Sequence, residues 1–407
     1  MAPSPASTTP QTVPAAKLRR IALDAQGLLK QAPFGRGKNA TRRAIEQIGY
    51  VQIDTISVVA RAHDHVLHNR VPNYRPEHLT RLQTEGAIFE YWYHAAAYLP
   101  ISDFRFALPR MQAMASNSER WIRSRNKVLM AKVFERVKAE GPLKARDFEN
   151  PAGGSQGWWN WKPAKAALEQ LFMQGDLMVV GREGFQKTYD LTERVLPPGT
   201  DTRVPDDDEM AAYLLRTMLR SHGFVTPKCV THLRRGREIR AALKRVVDAE
   251  LVRRQLTTIR LPCGDMAYAD PEALESRAAP ASNRAMLLSP FDNLVIHRDR
   301  IQSVFGFDYQ IECYLKEQDR RYGYFCLPIV YRDALIGRAD CKAHRGDARF
   351  EIKHLHFELD EEQEDEMLTA VAEAFRRFAT FNGCTEITVG RTSPASWLQS
   401  IRAALNA

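Results

Sequence analysis

An amphipathic helix, a glycine stop and a β-branched run occur twice in this chain, and that repeat constrains the fold more than any other feature. The first copy reads Ala44-Ile45-Glu46-Gln47-Ile48-Gly49-Tyr50-Val51. The second reads Ala167-Leu168-Glu169-Gln170-Leu171-Phe172-Met173-Gln174-Gly175-Asp176-Leu177-Met178-Val179-Val180. A glycine after the last apolar turn ends a helix, because it enters the left-handed region without a Cβ penalty, and the runs that follow carry strand character. Downstream of each copy lies a second strand pattern, Phe89 to Pro100 and Phe185 to Pro197, both opening on Phe and closing on Leu-Pro.

The second copy is the more complete. Gly141-Pro142 starts a short helix ending near Phe148, and Pro163 suits the first turn of the next helix, which runs to Met173. Gly181-Arg182-Glu183-Gly184 then turns a hairpin between Leu177–Val180 and Phe185–Asp190. Helices followed by a hairpin make a winged helix, a helix-turn-helix variant. A third copy is expected with helices at Met210–Ser221, Thr226–Leu233 and Arg237–Ala249, and wing strands flanking Arg253-Arg254-Gln255. Lys162 and Lys165 open the expected recognition helix of the second copy, and Arg234, Arg235, Arg237 and Arg240 flank that of the third. Basic side chains there reach phosphates or base edges, although tandem winged helices also serve as protein-interaction modules.

The expected fold class is therefore α+β: three tandem winged-helix units followed by a β-rich C-terminal region. The expected boundaries are a disordered tail at 1–16, winged helices at 17–120, 121–205 and 206–280, and the C-terminal region at 281–407. In the last, Tyr322–Tyr331, Ala334–Cys341 and Arg349–Phe357 read as antiparallel strands with turns at Arg332-Asp333 and Gly346-Asp347. Helices are expected from His297-Arg298-Asp299-Arg300 onward and over Met367 to Phe381. Leu287-Leu288-Ser289-Pro290-Phe291-Asp292-Asn293-Leu294 reads as a loop with an exposed Asp292.

Charge points to an anionic partner. The chain has 58 basic and 49 acidic residues, a net +9. Seven of the acids crowd between Glu358 and Glu366, where they favour the positive end of the following helix. The rest of the chain is more basic still, which suits duplex nucleic acid, or else a solvated surface kept for solubility. No apolar run is long enough to cross a bilayer, and residues 1–16 lack the basic start and apolar core of a secretory signal. The six cysteines are scattered without a C-x-x-C pair, which suits reduced thiols in the cytoplasm and argues against a cysteine-held metal. Cys341 with His344, and His354 with His356, lack a second ligand pair, so no metal and no cofactor is expected.

Gly49-Tyr50-Val51-Gln52-Ile53-Asp54-Thr55-Ile56-Ser57-Val58-Val59 carries the chemistry. In a strand Gln52 and Asp54 project to one face. A paired amide and carboxylate can hold a water against a developing positive charge, which is what hydrolysis through a cationic transition state requires. The plainer alternative is a strand end whose carboxylate satisfies loop backbone.

The run from Val51 to His63, with Phe89-Glu90-Tyr91-Trp92 and Leu288 to Leu294, resembles the bacterial winged-helix DNA glycosylases. Arg320-Arg321-Tyr322-Gly323-Tyr324-Phe325-Cys326-Leu327-Pro328 and Gly337 to Arg345 are similar to the same family near its end. The resemblance covers essentially everything after the tail. It implies an enzyme that unhooks interstrand crosslinks and excises alkylated purines. Gln52-Ile53-Asp54 resembles the Gln-x-Asp branch tied to broad crosslink repair, not the Gln-x-Gln branch tied to antibiotic self-resistance. The chain departs from the family pattern at Asp64, where the pattern implies a histidine.

What the resemblance implies is a monofunctional glycosylase acting on double-stranded DNA with N7-alkylated or crosslinked purines. An N7-alkylated purine is already cationic and leaves without a general acid, through a sugar cation like that of glycoside hydrolysis. Asp54 would stabilise that cation and activate water; Gln52 would orient the water or the sugar. No lysine in the motif can form a Schiff base, so hydrolysis without strand cleavage is expected. A crosslinked base cannot rotate freely into a tight pocket, so an open groove is expected. Arg61, His63, His65 and Arg70 would hold flanking phosphates, with Lys162, Lys165, Arg298, Arg300, Lys342, His344 and Arg345 as further DNA contacts. A nucleoid-associated, cytoplasmic monomer is expected. The competing readings are a non-catalytic winged-helix regulator and a glycosylase limited to monoadducts.

Overall fold

The computed structural model describes residues 10–121, 125–148, 163–234, 236–276, 280–358 and 365–407. Lys162, Arg235, Asp360, Glu361, Glu362 and Glu364 lie outside them. The chain is a mixed α and β protein that divides into two compact units, one of residues 76–213 and one of residues 1–75 with 214–407. The expected 17–120 segment thus contributes to both. Among the described residues no helix is long and apolar enough to cross a membrane.

In the 76–213 unit, helices Lys127–Glu140 and Pro163–Met173 accompany a three-stranded antiparallel sheet. The short strand Leu143–Lys144 pairs with Gln186–Leu191, which pairs with Leu177–Glu183. Pro163 opens its helix as expected. The expected helix from Gly141 to Phe148 is instead that short strand and a 3-10 turn. Phe89 to Pro100 is a hairpin, with strands Ile88–Trp92 and Ala96–Pro100, and not one strand. Glu90 is only 2% exposed, and its carboxylate accepts Nε and Nη2 of Arg182, both at 2.7 Å, with Lys187 at 3.4 Å. These partners hold it ionised against the burial that opposes charge.

The other unit repeats this connectivity. Strand Phe224–Val225, helices Pro227–Val230 and Glu238–Val252, and strands Thr257–Arg260 and Met266–Ala269 follow one another, and the first strand pairs with the last. The expected wing position is corrected. Arg253-Arg254-Gln255 is the turn that leaves the helix, and the hairpin turns later, near Gly264 at φ +93°. The tail also departs from expectation. Gln11–Thr12 adds a parallel strand beside Ile259–Arg260, Val13 is buried, and a helix starts at Ala15.

The C-terminal region is a five-stranded sheet in the order Ala285–Leu287, Cys326–Tyr331, Ala334–His344, Arg349–Phe357 and Glu386–Ser393. The first four run antiparallel. The fifth joins in parallel after helix Asp365–Phe381, as a parallel neighbour requires a crossover. Phe350, Phe375 and Phe378 pack in the core with Val59, Ala60 and Ala62 from near the N-terminus. Each fully buried aromatic contributes about 2–3 kcal/mol of transfer free energy.

Candidate active site

The strand that carries Gln52 is short. Only Val51–Gln52 is strand; residues 53 to 57 are irregular, so the alternation expected to put Gln52 and Asp54 on one strand face stops at Gln52. The cause lies in Asp54. Its Oδ1 accepts the Ile56 backbone N–H at 2.7 Å, an Asx turn that diverts the chain from a ladder. Gln52 is 6% exposed and Asp54 is half-buried. Among the described residues no lysine or arginine forms an ion pair with Asp54.

The segment before this motif is held at two points. Gly49 ends helix Gly37–Ile48 at φ +83°, and a Cβ there would meet Thr217 Cγ2 at 2.6 Å. Asn293 Nδ2 donates to Ile48 O at 3.2 Å and Tyr50 O at 3.0 Å. After the motif, Ala343 N donates to Val58 O at 2.9 Å and Arg345 Nη1 to Ser57 O at 3.3 Å. The expected basic turn is instead the end of strand Ala334–His344, which carries Lys342 and His344, with Arg345 opening the 3-10 turn after it, and it is tied to the Asp54 segment. Lys342 and Arg345 are exposed, while His344 pairs with Glu351 at 2.8 Å.

Several expected DNA contacts are corrected. Helix Ala62–Arg70 is buried on most sides. Arg70 is 0% exposed and spends its guanidinium on a bidentate pair with Asp292 at 2.7 and 2.9 Å, on Gln26 O and Oε1, and on Val66 O. Asp292, expected to be exposed, is also 0% exposed. His65 is fully buried, stacks on Phe378 with centroids 4.2 Å apart, and meets Leu287 O at 2.7 Å. Burial pushes its pKa down to about 4, so it is neutral and cannot hold a phosphate. His63 is 7% exposed, 3.6 Å from Asp64, which accepts the Tyr74 hydroxyl. Arg300 is 6% exposed, with His222 Nδ1 at 2.6 Å and His222 O at 2.7 Å. Arg298 is half-buried, donates to Val295 O and Pro290 O, and lies over the Tyr309 ring. Arg61 is half-buried and Lys165 exposed.

Sequence reasoning passed over Cys313 and Tyr314. Burial, and next the Asp54 carboxylate, raise the Cys313 thiol above its ordinary range. Burial, Cys313 and Asp54, in that order, raise the Tyr314 phenol. Both residues lie on a loop without a motif.

A carboxylate with no ion-pair partner among the described residues, basic side chains fastened beside it, and a strand–helical segment–hairpin connectivity found in both units suit an enzyme that acts on DNA. The model for the family described as DNA glycosylase AlkZ-like matches residues 45–381, and the chain belongs to that family. It is therefore a DNA glycosylase, and the regulator alternative gives way. Among solved structures it is similar to Streptomyces sahachiroi DNA glycosylase AlkZ, with a TM-score of 0.60 and 15% identity over 94% of this chain and 100% of that one. At that identity the likeness speaks for the fold.

Proposed function

We propose that this glycosylase hydrolyses the N-glycosidic bond of N7-alkylated purines in duplex DNA, interstrand crosslinks included, with Asp54 stabilising the sugar cation and activating water and Gln52 orienting that water. The observation that carries this reading is the Asp54 carboxylate: half-buried, oriented by one hydrogen bond to Ile56 N, with no ion-pair partner among the described residues. One oxygen is committed to orientation, which leaves the second for chemistry. A single placed electrostatic contact of this kind is worth about 3 kcal/mol of barrier, or a hundredfold in rate. The repeated connectivity supports winged-helix units as the DNA-holding frame. Lys342 and Arg345, exposed and tied to the Asp54 segment, are cations suited to phosphates.

The test incubates purified protein with duplex carrying N7-methylguanine or a nitrogen-mustard crosslink. Wild type should release the base or separate the strands and leave the sugar-phosphate backbone intact. No base release at any salt concentration overturns the alkylpurine reading. Release from the monoadduct alone restricts it to monoadducts.

A further inference from the structure

Three arginines are almost wholly enclosed among the described residues: Arg70 at 0%, Arg338 at 2% and Arg300 at 6% exposed. A guanidinium out of water needs a counter-charge, because an unpaired buried ion is costly. Arg70 has Asp292, and Arg338 has Glu358 at 2.5 Å. Arg300 pairs with no carboxylate among the described residues. Its Nη1 and Nη2 donate to His222 Nδ1 and O, its Nε has no hydrogen-bond partner, and its guanidinium lies over the Phe224 ring at 4.4 Å. His222 supplies no charge, since burial holds its pKa well below the ordinary value. Arg300 keeps its own charge at neutral pH, because burial pushes its pKa down only to about 10.

Arg300 lines a cavity of about 480 Å³, a volume typical of small-molecule sites. Phe224, Leu261 and Ile296 give the cavity apolar walls. Arg298 lines it as well and also lacks an ion pair among the described residues, donating instead to the carbonyls of Val295 and Pro290. The exposed part of the lining carries both signs: Lys228 pairs with Asp299, and Asp265 adds a further carboxylate. We propose that this cavity binds a small organic anion, with a carboxylate or phosphate head against Arg300 and an apolar body along Phe224, Leu261 and Ile296. The head supplies the counter-charge that Arg300 lacks, since guanidinium groups suit carboxylate and phosphate oxygens. The body takes the apolar walls out of contact with water. A DNA backbone suits the cavity less well, because the exposed carboxylates of Asp265 and Asp299 repel a chain of phosphates.

The experiment titrates the full chain with naphthoate, naphthyl phosphate and the uncharged naphthylmethanol, by calorimetry and by thermal unfolding. At least one anion should bind and raise the unfolding midpoint, and the alcohol should bind about tenfold more weakly. Arg300→Met keeps the apolar length, removes the charge and should abolish the difference between anion and alcohol. Should that variant not fold, Met266 decides. It lines the cavity and is 37% exposed. Met266→Glu should weaken binding of the anion about threefold and Met266→Lys strengthen it as much, with the alcohol unchanged. The proposal is overturned by no binding of either anion at millimolar concentration, by equal binding of anion and alcohol, by equal anion binding in wild type and Arg300→Met, or by indifference to both Met266 substitutions. Displacement of bound naphthoate by undamaged duplex would assign the cavity to a backbone phosphate and overturn the small-molecule reading too. None of these readouts depends on base release, so the outcome is separate from the role of Asp54.

Discussion

A carboxylate that helps a cationic base depart must be close to the sugar and must not be neutralised by a neighbour. Asp54 meets the second condition, and its substitution tests the first. Asp54→Asn keeps an oxygen for the Ile56 N–H and removes the charge. It should slow single-turnover base release by about a hundredfold to a thousandfold while duplex affinity stays within about twofold. Comparable loss of binding would show that the residue serves the DNA and not the reaction. Arg70 and Asp292 behave in the opposite way. Their pair is fully buried, so Asp292→Ala leaves an uncompensated guanidinium and should cost about 3–5 kcal/mol of stability by chemical denaturation. His65 adds a pH signature. Its pKa in the folded protein is pushed down to about 4 by burial, whereas an unfolded imidazole titrates near 6.5. Between these values only the unfolded chain holds the proton. Stability should therefore fall as pH drops from about 6.5 toward 4, by about 1.4 kcal/mol per unit for this group, and be insensitive to it above 6.5. A denaturation midpoint that does not fall between pH 7.5 and 5 would contradict this. His65 and Arg70 read as DNA contacts in the sequence because they follow the Gln52–Asp54 run as a basic stripe. Nothing local reports that their partners, Leu287 and Asp292, stand 222 residues away.

Elements were more legible where backbone chemistry is local. The glycine stops at Gly49 and Gly175 have φ of +83° and +87°, and the added Cβ at Gly175 would meet Met111 Sδ at 2.8 Å. Pro163, the turn at Arg332-Asp333 and the strand Arg349–Phe357 likewise declare themselves through residues that allow little else. The length of the strand that carries Gln52 did not. Its β-branched run favours extension, but one Asx turn at Asp54 outweighs that preference. The third hairpin was misplaced for a related reason. Arg254 takes the left-handed turn at φ +57° without a glycine to announce it. At this scale Asn293 is the informative residue. Asn293→Ala strands the carbonyls of Ile48 and Tyr50, and should cost about 1–3 kcal/mol. Because those carbonyls precede Gln52, base release should slow by more than the lost folded fraction explains. Full specific activity at a temperature where the variant is folded would show that the bond is merely structural.

For the whole molecule, the net charge of +9 predicted an anionic partner but not which cations face it. The structure separates them by burial: Arg70 and Arg300 are inside, Lys342 and Arg345 outside. Lys342→Ala should weaken binding to damaged and undamaged duplex alike and reduce the slope of log K against log salt by about one. An unchanged slope removes it from the DNA surface. Three strands of the five-stranded sheet, the helix over Met367 to Phe381 and the hairpin of Leu177–Glu183 with Gln186–Leu191 could be read from periodicity, whereas Ala285–Leu287, Glu386–Ser393 and the other hairpins could not. The joining of residues 1–75 with 214–407 into one unit could not, because contact between distant segments leaves no local pattern.

The clasp made by Asn293 and Asp292 sets an order of assembly. The segment bearing Asp54 is synthesised early, yet the groups that hold its approach and the helix behind it emerge more than two hundred residues later. A nascent or truncated chain that ends before Ser289 carries Gln52 and Asp54 without the Asn293 bonds to Ile48 and Tyr50 or the Asp292 pair with Arg70. Such a fragment should leave the genome's bases alone, so competence to cut a glycosidic bond is granted only to a finished polypeptide.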